Sequence, residues 1–400
     1  MRNHLSSKSA RLIPVALLLI GFWQLEALVP SHFGRPQQTH LSMSSVSTQS
    51  RNKAPARYAD NAEGVLYVNE ACINCQACNR FAPTVFEMDE TRQSHHRVRK
   101  QPNLADHEEM DQARAALSAC PVAAIRVDHS LAKDELTQQL ARELTLNEKV
   151  SGWSHPFPRA VVDGGYSNVY HVGHHNEHSF GGVPYLVKGH SDSVLVDAPK
   201  FSKSAVRTVE SIVGTNGPSY MFLTHVDDTA DHEKWAEHYP NMKRIFHSGD
   251  LGPGNWRRDK ELENCEVILH GTSTEESFKA WTLNGKELED IGQEEFLVLH
   301  TPGHSRGSIS LYYRPTEGGV LFTGDTLGWS GRTETLTGFP RYGRDLKLQA
   351  KTLENFLKLP GRWDLIAPGH GQPRYYKQDL ETRNKEVQLA SKDLLQYSRK

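Results

Sequence analysis

The stretch Leu223–His232, LTHVDDTADH, has the two ends of a metal-binding loop and an altered centre. A loop of this type follows the pattern H-x-H-x-D-H, and here His225 opens it while Asp231 and His232 close it. Asp227 stands where the second histidine is expected, and two additional residues separate the halves. The apolar run YMFL leads into the stretch at Leu223, and the helix-like DHEKWAEHY begins with its last two residues, Asp231 and His232. The stretch therefore predicts a metal centre at the end of a buried strand, with a carboxylate among its ligands.

Three later segments place further ligand-type side chains at the ends of predicted strands. EFLVLHTPGH, GVLFTGD and WDLIAPGH supply His304, Asp325 and His370. Imidazole nitrogens and carboxylate oxygens bind divalent metals, and one carboxylate can bridge two of them. Short strands alternate with helices from about residue 155 onward, which indicates an α/β domain with its site along one sheet edge. Together the segments predict one or two divalent metals.

The order of these residues resembles that of the metallo-β-lactamase fold hydrolases, whose relatives include glyoxalase II and the flavodiiron oxygen reductases. The resemblance covers about residues 155–385, before a C-terminal helix end at 386–400, and implies an αββα sandwich. It also implies that Asp231 orients a metal-activated hydroxide, which makes Asp231 the expected catalytic residue. The metal ligands that the resemblance implies are His225, Asp227, Asp231, His232, His304, Asp325 and His370.

The altered centre of the loop leaves two alignments open. A local bulge keeps both ends of the loop as ligands and brings Asp227 or Asp228 to the metal. Anchoring on Asp231 instead puts Asp227 and Thr229 in the two histidine positions and leaves His225 without a role. We prefer the bulge, because each end is well placed beside a strand or a helix. A carboxylate in place of an imidazole favours iron or manganese over zinc, and flavodiiron enzymes similarly place a carboxylate here.

A second motif, CINCQAC, indicates an iron–sulfur cluster. Its cysteines follow the pattern C-x2-C-x2-C, and a remote Cys-Pro pair supplies a fourth thiolate. Zinc sites more often use separated pairs, so the pattern favours one [4Fe-4S] cluster. Residues 62–128 resemble single-cluster bacterial-type ferredoxins, which implies a small α+β domain, and an amphipathic linker helix is expected at 129–154. The expected cluster ligands are Cys72, Cys75, Cys78 and Cys120.

The composition argues against a nucleic-acid partner, and the N-terminal segment indicates where in the cell the chain is directed. The chain has 400 residues, a formal net charge of −2 and no long Lys/Arg run, which argues against a nucleic-acid partner. Residues 1–58 combine an apolar run, LIPVALLLIGFW, with a following segment that has no acidic residue. We expect a signal-plus-transit presequence that directs the chain to a plastid and leaves a mature form that does not span a membrane. A signal anchor and a secretory signal are the alternatives.

Histidine is unusually frequent, with 21 residues in the chain. Two of them, His247 and His300, end predicted strands, and we expect each to be structural or to support a ligand from behind rather than to bind metal itself. Four others crowd the segment YHVGHHNEHSF at the entry to the second domain, where packing or surface roles compete with contact to substrate or metal. These four are His171, His174, His175 and His178.

Three functions are compatible with these features. The first is a hydrolase in which metal-activated hydroxide attacks an ester, thioester, lactam or phosphodiester bond of a small-molecule substrate. The second is an iron-dependent oxidoreductase that receives electrons from the ferredoxin cluster, which itself needs a redox partner. The third is a redox-sensing protein in which neither site catalyses. We rank the hydrolase first and leave zinc or iron open for the metals.

Overall fold

The computed structural model describes residues 54–89, 94–145, 156–162, 165–292, 294–315 and 318–399. Most of the expected presequence, up to residue 53, lies outside the described residues, as do residues 146–154 of the expected linker helix. Ala54–Lys400 form one compact unit. Among the described residues, no helix combines the length and the apolar character that a membrane crossing requires.

The N-terminal part of this unit is a small α+β domain around the cysteine motif. Its elements are β1 Leu66–Val68, α1 Ala77–Phe81, β2 Phe86–Met88, β3 His96–Val98, α2 His107–Ala119, β4 Ile125–Val127 and α3 Glu135–Thr145. β1 pairs antiparallel with β4, and β2 pairs antiparallel with β3. Asp106 caps α2 by accepting a hydrogen bond from the backbone N–H of Glu109, and alanines on its buried face let it pack closely beside the motif.

The first large sheet has seven strands in the order β11-β10-β9-β8-β7-β6-β5. They are β5 Arg159–Ala160, β6 Val169–His171, β7 Tyr185–Lys188, β8 Ser193–Val196, β9 Tyr220–Phe222, β10 Lys243–His247 and β11 Val267–Leu269. The last four strands run parallel, which requires crossover connections. α4 Lys203–Val213 follows β8, and α5 His232–His238 follows β9.

The second large sheet also has seven strands, in the order β13-β12-β14-β15-β16-β19-β20. They are β12 Ala280–Trp281, β13 Glu287–Leu288, β14 Phe296–His300, β15 Ile309–Tyr313, β16 Val320–Gly324, β19 Leu365–Pro368 and β20 Arg374–Tyr375. A hairpin of β17 Gly328–Ser330 and β18 Thr335–Thr337 lies between β16 and α6 Leu346–Phe356, and α7 Leu380–Tyr397 closes the domain.

The two sheets pack face to face with helices outside them. Val194 and Val196 of β8 point into the core between the sheets, whereas Leu195 packs on the helix side with α4. In the second sheet Phe322 faces the same central core and Leu321 lies in the layer with α6 and α7. Both faces of each sheet are therefore covered, which explains the almost continuous apolar runs in the sequence. The αββα sandwich implied by the resemblance is confirmed.

Strand direction brings the polar side chains together. β8, β9 and β10 are parallel neighbours, so the residues that follow them meet at one sheet edge. β16 and β19 are parallel neighbours in the second sheet, so Asp325 and His370 also share an edge. The fold thereby collects the ends of several strands from both sheets at one place.

Candidate metal centre and cluster site

The loop after β9 carries the first donors of the candidate metal centre. His225 continues the strand in extended conformation, and a single 3-10 turn follows at Val226–Asp228. Asp231 adopts a left-handed conformation with φ of 68°, and α5 begins at His232. The turn absorbs the two additional residues of the loop, so that Asp227 and Asp228 both reach the centre while the end of the loop turns away from it.

Four donors from both sheets face one another at this centre. His225 Nε2 lies 3.7 Å from Asp227 Oδ2 and 3.8 Å from Asp325 Oδ2. His304 Nε2 lies 3.7 Å from each of the same two oxygens. Donors arranged tetrahedrally at about 2.1 Å from a metal are about 3.4 Å from one another. The spacing of the four donors is therefore close to what one divalent ion requires.

Asp325 directs its other oxygen to a second group of donors. Asp325 Oδ1 lies 2.8 Å from His370 Nδ1, which in turn is 3.8 Å from Asp228 Oδ2. Within the described residues, both carboxylate oxygens of Asp228 are buried without a hydrogen-bond partner, as is His225 Nε2. A buried carboxylate without donors is unfavourable unless a cation compensates it. His225, Asp228 and Asp325 form a second group of donors within 4.8 Å of one another, and His370 adjoins this group through its hydrogen bond to Asp325. A second metal position therefore fits beside Asp228, with Asp325 shared between the two positions.

Hydrogen bonds behind the donors hold them in orientation. Asp197 accepts from the backbone N–H and from Oγ1 of Thr224, at 2.8 and 3.1 Å. Since that hydroxyl donates to Asp197, it accepts from Nδ1 of His225 at 3.0 Å, which leaves the lone pair of His225 Nε2 free for a metal. Trp256 Nε1 donates to Asp227 Oδ1 at 2.5 Å and so leaves Oδ2 of Asp227 facing the histidines.

The charged groups of the centre shift one another's pKa values strongly. Burial opposes protonation of His370, but the carboxylates of Asp325 and Asp228 outweigh it and raise the His370 pKa to about 10. Burial also opposes ionisation of Asp227, yet the nearby imidazoles of His304 and His225 and the N–H of Trp256 lower the Asp227 pKa to about 2. The same balance holds the pKa of Asp325 well below its usual range. Asp227 and Asp325 are therefore held in the ionised form, which attracts a cation. Burial, together with the neighbouring carboxylates of Asp325 and Asp197, instead raises the pKa of Asp228 well above its usual range, so ionisation of Asp228 needs a cation beside it.

Asp231 and His232 lie outside this centre, contrary to the prediction of a catalytic Asp231 and a ligand His232. Asp231 Oδ2 accepts from the backbone N–H of Phe201 and from Asn176 Nδ2, both at 3.0 Å, and its Oδ1 accepts from Lys234. These donors occupy the carboxylate, because the left-handed turn at Asp231 directs it away from His225.

Both ring nitrogens of His232 likewise contact structural partners. Its Nε2 lies 3.2 Å from Asp259 Oδ2, and its Nδ1 lies 3.2 Å from Nη1 of Arg244. Arg244 is paired in turn with Glu266. Both ring nitrogens are therefore used in anchoring the start of α5, which leaves neither for a metal.

An open pocket of about 510 Å³ lies over the metal centre. Asp227, His304, Asp325 and His370 line its base. Aromatic side chains and an arginine of the same domain also line the pocket: Phe180, Trp256, Phe339, Tyr342 and Arg344. Another part of the wall belongs to the cysteine loop of the N-terminal domain, which contributes Ile73, Asn74, Cys75 and Gln76. Both domains therefore shape the pocket.

The four expected cluster ligands line a single cavity, together with Val68, His96 and other residues of the small domain. Backbone N–H groups approach two of the sulfurs, that of Asn74 at 3.4 Å from Cys72 Sγ and that of Ala124 at 3.2 Å from Cys120 Sγ. Amide donors to sulfur stabilise thiolates that bind a cluster. Burial raises the pKa of the Cys75 thiol to about 12, so a thiolate at this position needs the positive charge of bound iron. The residues fit one iron–sulfur cluster.

Four further histidines have structural roles in the packing of the domains. His247 and His300 stack with ring centroids 4.3 Å apart, and His247 is hydrogen-bonded at both nitrogens, to Gly271 O and the Gly249 N–H. The structural role expected for this pair is confirmed. His171 and His175 are buried against Phe81 of the small domain. Sequence patterns gave no signal for Trp256, because it lies in an irregular loop and acts through a single hydrogen bond.

Comparison with known protein families agrees with both halves of this geometry. Residues 68–127 match the 4Fe-4S single cluster domain of ferredoxin I, and residues 214–370 match the metallo-beta-lactamase superfamily. The chain joins a single-cluster ferredoxin domain to a metallo-β-lactamase fold domain. The ferredoxin domain accounts for the cysteine cavity, and the second domain accounts for the centre that collects His225, Asp227, His304, Asp325 and His370.

Curated relatives match parts of the metallo-β-lactamase fold domain. A hydroxyacylglutathione hydrolase of Bartonella henselae is 27% identical over 177 residues, which are 44% of this chain and 58% of the relative. A hydroxyacylglutathione hydrolase of Thermosynechococcus vestitus is 31% identical over 157 residues, 34% of this chain and 59% of the relative. The chain thus spans less than two thirds of the length of each of these relatives.

Solved metallo-beta-lactamase structures also match a part of this chain. A metallo-beta-lactamase family protein of Thermus thermophilus matches with 18% identity and a TM-score of 0.39, over 58% of this chain and 80% of that one. The DIM-1 metallo-beta-lactamase matches with 15% identity and a TM-score of 0.39, over 57% of this chain and 94% of that one.

Proposed function

We propose that the protein is a metal-dependent hydrolase of small molecules that acts on an ester-type bond, with a thioester as the leading substrate class. The observation that carries the proposal is the set of four donors from His225, Asp227, His304 and Asp325 at the base of an open pocket. The two hydroxyacylglutathione hydrolases among the relatives support a thioester, which is one of the bonds that such a centre can attack.

The side chains of the centre have separate tasks in such a reaction. Divalent metals, when bound, provide a water-derived nucleophile near neutral pH and polarise a carbonyl oxygen. His225, His304 and Asp227 would hold the first metal, and Asp325 would contribute to both metal positions. Asp228 takes the part expected of Asp231, because its buried carboxylate is the one whose oxygens are left without donors.

The pocket wall supports a substrate with an apolar body and an anionic group. Phe180, Trp256 and Tyr342 are 52%, 48% and 73% exposed, so three aromatic surfaces are available at the pocket mouth. Arg344 lines the same pocket, and within the described part of the chain no carboxylate pairs with it. An unpaired guanidinium beside aromatic faces binds a carboxylate or phosphate of a ligand.

The experiment that tests the proposal is hydrolysis of a hydroxyacyl thioester by the full chain, purified without oxygen and loaded with Zn²⁺. We expect turnover that Asp325→Asn lowers by about 100-fold or more, because the shared carboxylate is lost from both metal positions. The matched control is Asp259→Asn, which changes a carboxylate that binds His232 outside the pocket and should keep the activity. Equal activity of the wild type and Asp325→Asn would contradict the proposal.

An oxidoreductase is the second candidate, and one observation favours it. Ile73, Cys75 and Gln76 line both the cysteine cavity and the pocket over the metal centre, so a cluster and a pocket ligand share one wall. The carboxylate of Asp227 in a histidine position also suits iron. Metal analysis separates the candidates: iron beyond the four atoms of one [4Fe-4S] cluster, lost in His304→Ala, supports the oxidoreductase, whereas zinc alone at the metal centre removes it.

A further inference from the structure

The contact between the two domains connects the cluster ligands with the metal centre by two short routes. The first route runs through α1, which carries Cys78 and, two residues later, Arg80. Arg80 Nε donates to the carbonyl of Gly371 at 2.9 Å, and its Nη2 donates to the same oxygen. Gly371 directly follows His370. The helix that holds one cluster ligand therefore also holds the peptide beside a candidate metal ligand.

The second route is the dipeptide Gly181–Gly182. A Cβ placed on Gly181 would lie 2.5 Å from Cβ and 3.1 Å from Sγ of Cys75, and a Cβ placed on Gly182 would lie 2.8 Å from Cγ of Asp228. Successive Cα atoms are about 3.8 Å apart, so these contacts limit the distance from Cys75 Sγ to Asp228 Oδ1 to at most about 13 Å. Only this dipeptide separates the two side chains along this route, and neither position has room for a larger residue.

Arg80 places a positive charge on the first route. Among the described residues its Nη1 is buried and has no hydrogen-bond partner, which is unfavourable for a charged group unless an anion lies nearby. Cys75 and Cys78 interact electrostatically with the guanidinium, and their thiolates make a bound cluster negative. A bound cluster would therefore compensate the charge of Arg80, while the hydrogen bonds of Arg80 are made with the carbonyl of Gly371 in the loop of the metal centre.

We infer that the cluster and the metal centre are energetically coupled, with Arg80 as the positioning residue that connects them. The inference rests on the proposed function in so far as it takes the second centre to bind metal. Cations at the metal centre stabilise the reduced, more negative cluster, and a cluster in place keeps Arg80 and the His370 loop fixed for the metal. Coupling between two sites is reciprocal, so each site reports on the other.

The first measurement is the midpoint potential of the cluster in the full chain, from a redox titration followed by EPR, with the metal centre empty or loaded with Zn²⁺. Zinc has no redox change of its own, so the signal reports only the cluster. We expect zinc to raise the potential, and a tenfold preference of zinc for the reduced protein corresponds to about 59 mV. An unchanged potential in a wild-type protein that binds zinc would overturn the coupling.

The second measurement is the zinc affinity of variants that retain the cluster. We expect Arg80→Met to weaken zinc binding about tenfold, because the hydrogen bonds that hold the Gly371 carbonyl beside His370 are lost. We expect the same change to lower the midpoint potential, because a positive charge beside the cluster ligands is lost. Arg80→Lys should recover much of both, since an ammonium also donates to a carbonyl. The matched control is Arg97→Met, which removes an arginine of the same domain that pairs with Glu87 and should leave both quantities unchanged.

The outcomes separate the inference from the proposed function. A wild-type chain that takes up no Zn²⁺ at the metal centre overturns both. A wild-type chain that binds zinc, combined with an Arg80→Met variant of full iron content and unaltered zinc affinity, overturns the role of Arg80 and leaves the hydrolase in place. If Arg80→Met does not assemble its cluster, Arg80→Lys and the zinc-dependent potential of the wild type still decide the question.

Discussion

The two ends of the loop Leu223–His232 contain the same residue types and use them in opposite ways. At the first end, His225 Nε2 and both oxygens of Asp228 are buried without hydrogen-bond partners among the described residues. At the second end, Asp231 and His232 are bound to backbone, amide, arginine and carboxylate groups. The difference teaches that a metal centre is marked by buried donors that the fold leaves unused, rather than by the residue types of a motif.

The largest expected effect separates His304 from His232. We expect His304→Ala to weaken zinc binding by about 100-fold or more, because a donor of the first metal position is lost. His232→Ala should retain zinc and lower the free energy of unfolding by about 1–3 kcal/mol, since Asp259 and Arg244 lose a buried partner. Zinc content after dialysis and chemical denaturation measure the two effects. If His232→Ala lost its zinc and His304→Ala kept it, His232 rather than His304 would be the metal ligand.

A matched pair of carboxamide variants tests the two aspartates. Asp228→Asn should lose about one zinc per chain and reduce hydrolysis roughly 10–100-fold, because the buried anion of the second metal position is removed. Asp231→Asn should keep its zinc and most of its activity, as its carboxylate only accepts hydrogen bonds from Phe201, Asn176 and Lys234. Metal analysis and thioester turnover of both proteins are the measurement. Equal losses in the two variants would remove the distinction between the loop ends.

A smaller effect is expected from the support of Asp227. Trp256→Phe retains an aromatic ring near Phe180 but removes the N–H that holds Asp227 Oδ1. We expect zinc affinity to fall about tenfold with little change in unfolding, since the side chain is half exposed. Tyr342→Phe serves as the control at the same pocket mouth. A Trp256→Phe protein with wild-type zinc affinity would show that Asp227 does not depend on this donor.

His247, whose two ring nitrogens are both hydrogen-bonded, should affect the stability of the protein in acid rather than its metal binding. Burial, aided by the neighbouring His300, lowers the pKa of His247 from 6.5 to about 3. Between these pH values the unfolded chain binds more protons than the folded chain, so stability falls as the pH falls. His247 should therefore cost the wild type about 2 kcal/mol of unfolding free energy between pH 7 and pH 5. The measurement is chemical denaturation of His247→Gln and of the wild type at pH 7 and pH 5. The difference in unfolding free energy between the two proteins should be smaller at pH 5, because only the wild type loses the contribution of His247.

Much of the architecture was predictable because it depends on local patterns. The motif CINCQAC with Cys120 identified the ferredoxin domain. Three of the four cluster ligands lie within one short segment, so their spacing nearly determines their geometry. Apolar runs ending in His, Asp or Gly identified the second domain and placed His304, Asp325 and His370 at strand ends. The plastid location stays a prediction.

The rest was not predictable because it depends on loop conformation and on contacts between distant segments. The roles of Asp228 and Asp231 were set by a 3-10 turn and one left-handed residue, and neither follows from residue spacing. Trp256 reaches Asp227 from an irregular loop 29 positions away. The shared pocket wall joins Cys75 to His370, and no pattern within either segment refers to the other.

The position of Phe81 has a consequence for how the molecule folds. Its ring packs against Phe157, His171 and His175 of the neighbouring domain, with centroids 5.1, 5.2 and 6.0 Å away. Phe81 belongs to the same short helix as Cys78, and it is nearly inaccessible to solvent. A ferredoxin half cut from its neighbour would therefore expose an aromatic side chain beside its own metal ligands. The two halves should melt as one cooperative body, and neither should be exchangeable alone as a module.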